Sequence, residues 1–155
     1  MKGNEFVLKA LNEMLVDELT AINQYMVHSE MCAGWGYQKL HEVSEKRAIV
    51  EMKHAEKLIG RILFLEGIPI VTELNKIHIG ADVGAQLRND VAAEVGAVQA
   101  YNSAIKTCID HNDFGSRTLL EAILGDEEDH LDWLEAQIDQ IGHMGMESYL
   151  GSQLG

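Results

Sequence analysis

Glu51-Met52-Lys53-His54 and Glu127-Glu128-Asp129-His130 are two copies of Glu-x-x-His, and they lie 76 residues apart. Glu18 and Glu94 keep the same offset of 76, and each stands 33 residues before one of the motifs. Tyr25 and Tyr101 obey the offset as well. A helix places residues three apart on one face, so each motif presents a carboxylate and an imidazole to one point. Glu18, Glu94 and Glu127 also fall where the surrounding apolar period asks for leucine. The steps from Leu8 through Leu11, Leu15, Glu18 and Ile22 to Tyr25 run 3, 4, 3, 4, 3. That is the seam of a helix packing at a small angle on its neighbours. A buried carboxylate without a partner is strongly unfavourable, so the fold must bring these acids to a counter-charge or a metal.

The rest of the pattern supplies the helices. The chain has 155 residues, suited to one domain spanning 1–155 with a core that needs no staples. Leu, Ala, Glu, Ile and Met dominate and the only proline is Pro69, so the chain reads as all-α. The first helix is predicted to run to about Ala33, where Gly34-Trp35-Gly36 breaks it, and the second from Gln38 to Leu65. Glu66-Gly67-Ile68-Pro69 stops the second helix. Residues 67–82 show no clean period and read as a long crossover. Asp82 is a candidate N-cap for a third helix, with its seam at Val83, Leu87, Val91, Glu94, Val98, Tyr101, Ile105 and Cys108. The fourth spans about Ser116 to His143, with Leu120, Leu124, Glu127, Leu131, Leu134, Ile138 and Ile141 inward. A short C-terminal fifth helix is expected near Glu147–Gln153. Two helical hairpins joined by one long connection between helices 2 and 3 is the ferritin-like form of a four-helix bundle.

Charge narrows the function. Twelve Lys plus Arg against 25 Asp plus Glu leave a formal charge of −13, which argues against nucleic acid and suits attraction of metal cations. Most of these acids are expected to be solvated surface. Cys32 and Cys108 are too few and too far apart for a metal knuckle and read as small buried hydrophobes of a reduced cytosol. No signal-type apolar run follows the start, and no uncharged stretch reaches the ~20 residues of a membrane helix. The expectation is a soluble, cytoplasmic protein with no membrane or nucleic-acid partner. Four carboxylates with two imidazoles suit iron or manganese, lack the sulfur of structural zinc, and balance two divalent ions.

Over nearly its whole length the sequence resembles the bacterioferritins. The resemblance is carried by Met1-Lys2-Gly3, Glu18-Leu19-Thr20-Ala21-Ile22-Asn23-Gln24-Tyr25, Glu51-Met52-Lys53-His54-Ala55, Arg61-Ile62-Leu63-Phe64-Leu65-Glu66-Gly67, the run from Asp126 to Glu135, and Tyr149-Leu150. It implies a di-iron centre in which Glu51 and Glu127 bridge, Glu18 and His54 complete one iron, and Glu94 and His130 the other. It implies a ferroxidase that oxidises Fe(II) with dioxygen or peroxide and deposits ferric mineral inside a shell of twenty-four subunits. Tyr25 and Tyr101 read most simply as core aromatics.

Met52 lies about 100° around the helix from Glu51, so it points away from the acids. An outward Met is ordinarily interface filler, but in the family this position gives the axial thioether of a b-type haem shared by two subunits across a two-fold interface. Ile22, Asn23, Met26 and Ile49 would line the same face, and the haem would pass electrons for iron release from a ferredoxin-like reductant. Lys46 and Val50 stand where many family members carry a histidine and an aspartate for a further iron on the lumen side. This leaves open whether the di-iron site is a stable cofactor or a gated pore. His28, His41, His78, His111 and His143 form no spaced set and are expected to be surface or capping residues. Two rivals use similar parts: a di-iron or di-manganese redox enzyme of rubrerythrin or catalase type, and a haem-binding electron-transfer subunit. The sequence leaves open a homomeric shell or one shared with a second subunit type.

Overall fold

A computed structural model describes residues 1–155. It consists of five helices and no strands: α1 (Glu5–Trp35), α2 (Gln38–Phe64), α3 (Val83–Asp110), α4 (Phe114–Met144) and α5 (Met146–Ser152). The expected bounds hold to within two residues, because the caps are local chemistry. Asn4, Asp82 and Asp113 each accept backbone N–H bonds at the starts of α1, α3 and α4. Gly36 ends α1 in the left-handed region at φ 84°, and the next N–H, from Tyr37, reaches back to Cys32. At the end of α2 the left-handed residue is Glu66 (φ 61°), not Gly67. Gly67 is needed for space instead, since a Cβ there would lie 2.5 Å from Leu8 and 3.1 Å from Ile62.

The α1–α2 and α3–α4 hairpins form the four-helix bundle, and α5 packs on the end of α4. Contacts such as Tyr25 with Glu94 and Tyr101 with Glu18 show that α1 and α3 run antiparallel. The crossover therefore travels the length of α1, and α1 holds it with a ladder of polar side chains. Ile70 N–H donates to Asn12, Asn75 N–H to Thr20, His78 N–H to Gln24 and Gly80 N–H to the His28 ring. These bonds give an irregular segment partners for its backbone.

Two apolar cores fill the bundle. One gathers Val7, Leu11, Leu15, Leu58, Ile62, Tyr101, Cys108, Leu120 and Ile123. The other gathers Cys32, Leu40, Val83, Leu87, Leu134 and Tyr149 at the opposite end. Cys32 and Cys108 are both free and buried. Near the end of α4 the inward stripe departs from the expected one: Gln137 is buried and Ile138 is exposed. Gln137 accepts a hydrogen bond from the buried Tyr149 of α5 at 2.8 Å, so docking of the short helix sets the rotation there. No helix is long and apolar enough to cross a membrane.

Candidate metal centre

Between the two apolar cores the seams turn acidic. Glu18 of α1, Glu51 and His54 of α2, Glu94 of α3, and Glu127 and His130 of α4 all meet there, and none is more than 9% exposed. Their potential ligand atoms form two overlapping groups, each within 4.8 Å: Glu18, Glu51, His54 and Glu127 in one, and Glu51, Glu94 and His130 in the other. Each group takes most of its residues from one half of the repeat and one from the other, Glu127 in the first and Glu51 in the second, so the offset of 76 becomes an approximate two-fold relation in space.

The two tyrosines complete the relation. Tyr101 donates its hydroxyl to Glu18 Oε1 at 2.5 Å, and Tyr25 donates to Glu94 Oε1. Both are fully buried, and burial followed by the neighbouring carboxylate pushes each phenol up, so each keeps its proton as a donor. The sequence reading of both as core aromatics missed these bonds. The His54 ring is fixed from behind, its Nε2 lying 2.7 Å from the Asp126 carboxylate, so that Nδ1 turns inward. His130 Nδ1 lies 3.0 Å from Glu94 Oε1, and its ring stacks on Trp133.

Arg47 is the residue that sequence reasoning passed over. It lies one turn before Glu51, is 9% exposed, and pairs through Nη2 with Glu51 Oε1 and with Glu127 Oε2, the latter at 2.8 Å. An Arg four residues before an inward Glu was the available signal. Even so, donors are left over. Glu18 Oε2, Glu94 Oε2, Glu127 Oε1 and His54 Nδ1 are buried and accept or donate no hydrogen bond. Four such atoms in one place form a donor set that fits divalent cations.

Without a metal the cluster shares protons. Burial, then Glu51, pushes Glu18 up to about 8, and burial pushes Glu127 up to about 12. Burial also raises Glu51, but the Glu18 hydrogen bond, His54 and Arg47 prevail and bring it to about 2. Glu94 falls as well, its burial outweighed chiefly by the hydrogen bond with His130. His54 rises to about 12, as the nearby carboxylates of Glu127, Glu18 and Glu51 overcome its desolvation.

A cavity of about 460 Å³ between α1, α3 and the crossover reaches Glu18, Glu51, Glu94 and Glu127. Ala92, Ala93, Gly96 and Ala97 of α3 leave it open, and Asp17 adds a further carboxylate against the single cation of Lys76. Its potential favours cations. The remaining singled-out residues lie elsewhere. Met52 faces outward and is 42% exposed, with Met26 and Ile49 also exposed and Ile22 and Asn23 half-buried. Lys46 is exposed and Val50 half-buried, both outside the acid cluster. His28 is not the surface residue expected: it is 1% exposed, 3.0 Å from the buried Asp90, and anchors the crossover.

The family model of the ferritin-like domain matches residues 8–144. The bacterioferritin of Mycobacterium leprae is 40% identical over 149 residues, covering 96% of this chain and 94% of that protein. The bacterioferritins of Brucella melitensis and Rhodobacter capsulatus are 38% and 40% identical, each covering 96% of this chain and 92% of the relative. The fold, the repeated acid cluster and these relatives agree: the chain belongs to the bacterioferritin family of ferritin-like proteins.

Proposed function

We propose that this protein stores iron as a ferroxidase, taking up two Fe(II) per subunit and delivering Fe(III) as mineral into the hollow of a twenty-four-subunit shell. The observation that carries the reading is the set of buried ligand atoms of Glu18, Glu94, Glu127 and His54 that make no hydrogen bond. Supporting it are the relatives named bacterioferritin along the whole chain. Fe(II) is the substrate, drawn through the acidic cavity, and dioxygen or peroxide takes one electron from each ion. In this reading Glu51 and Glu127 bridge the ions, Glu18 with His54 completes one position, and Glu94 with His130 the other. Tyr101 and Tyr25 fix the rotamers of Glu18 and Glu94 through their hydroxyls, and Asp126 orients the His54 ring.

Met52 is our candidate ligand for a b-type haem between two copies of the chain. Its thioether is exposed on a helix face that also carries exposed Ile49, a soft donor in an apolar setting. Met52 would hold the haem through its sulfur, and the haem would supply electron transfer for iron release. The test is anaerobic loading of the metal-free protein with Fe(II) followed by oxygen. Rapid growth of iron-oxo absorbance in particles of several hundred kilodaltons is expected, whereas particles of one or two subunits that hold no iron would refute storage.

A further inference from the structure

The guanidinium of Arg47 divides the oxygens of the two acids it touches. Glu127 gives Oε2 to Arg47 at 2.8 Å, and its free Oε1 lies 3.2 Å from His54 Nδ1. Glu51 gives Oε1 to Arg47, and its Oε2 lies 3.7 Å from the same His54 nitrogen. Both acids that contact Arg47 therefore turn their free oxygen toward Glu18 and His54. The ligand groups show the same imbalance, with four residues on the Glu18–His54 side and three, lacking Glu127, on the Glu94–His130 side. Arg47 also lines a small cavity together with His130, Tyr25 and Trp133.

We infer that Arg47 makes the two metal positions unequal: the first divalent cation binds between Glu18 and His54, and the second displaces the guanidinium from Glu51 and Glu127 to bind between Glu94 and His130. An arginine does not release its proton in a protein, so it yields to a metal only by moving. A second divalent ion meets that fixed positive charge at close range, in a site where water screens little. The anchor on the far side is weak: Nη1 donates to the Asp126 carbonyl at 3.3 Å, and the buried Nε has no partner. Arg47 is thus a positioning residue that sets the metal concentration at which both positions fill. The inference rests on the two-metal reading of the cluster.

Cobalt(II) is a redox-inert probe of the assembled metal-free protein, followed by its d–d absorbance and by calorimetry. The wild type should bind two ions per subunit in steps separated by roughly tenfold or more in affinity. Arg47→Gln should tighten the second step and leave the first unchanged, and Arg47→Lys, which keeps the charge, should retain the separation. Superimposable isotherms for wild type and Arg47→Gln, or a shift confined to the first step, would overturn the role of Arg47 while leaving the metal centre standing. A wild type that binds no cobalt would overturn the centre and the inference together. Crystals of the wild type at one cobalt per subunit decide the order without any variant. Anomalous scattering between Glu18 and His54 supports the proposal, and scattering beside His130 contradicts it.

Discussion

Glu127 has two partners in the metal-free cluster, Arg47 and His54, and in our reading it also bridges both metals. Loss of a residue that merely orients a ligand costs about 10–100-fold in affinity or activity, so Glu127→Gln should slow Fe(II) oxidation by about 100-fold or more. The isosteric amide should leave the metal-free fold intact, and stopped-flow absorbance with circular dichroism checks both. Glu18 gives a pH dependence whose sign is fixed. Its carboxyl lies at about 8 in the folded chain against an ordinary 4.5, so its contribution to stability is present below pH 4.5 and lost as pH rises through 8. The metal-free wild type should therefore lose thermal midpoint relative to Glu18→Gln between pH 4.5 and 8, and a constant difference across that window would contradict the assignment. All six candidate ligands were legible in the sequence, because a carboxylate in an apolar seam breaks a strict pattern. Arg47 and the tyrosine bonds were not, since a hydrogen bond between α1 and α3 depends on the register of two helices.

The elements were legible for a different reason. Caps and seams act over a few residues, so Asp82 and Gly36 declare the helix ends locally. The crossover has no such period. Its path is set by side chains of α1 placed at Asn12, Thr20, Gln24 and His28, which receive its N–H groups from 52 to 58 residues away. Gln24 is 3% exposed and also donates to the buried Asp90. Its removal leaves buried polar groups unpaired, so Gln24→Ala should cost about 1–3 kcal/mol per group orphaned. Denaturant unfolding measures the loss, and hydrogen exchange should show faster opening of residues 75–80. The outward face of α2 is a second element-scale case. Met52→Leu is mild for packing, so an assembled protein without haem absorbance is expected. A normal haem spectrum in that variant would remove Met52 as the ligand.

For the whole molecule, the bundle places a band of buried acids between two apolar cores, reached by an acidic cavity along α1 and α3. In our reading the repeat lets one chain supply two similar metal positions, and Arg47, whose counterpart 76 residues on is the apolar Ile123, makes them differ. The outer surface carries exposed Phe6, Met26, Ile49, Met52, Leu63 and Phe64, more apolar surface than a lone helical bundle needs. That supports assembly, and size-exclusion chromatography with light scattering should give a particle of several hundred kilodaltons. The measurement that tests the central claim most directly is diffraction at the iron edge from crystals soaked anaerobically in Fe(II). Two iron peaks about 3.5–4 Å apart, enclosed by Glu18, Glu51, His54, Glu94, Glu127 and His130, are predicted. A single peak, or either Glu-x-x-His pair turned away from the iron, would contradict it.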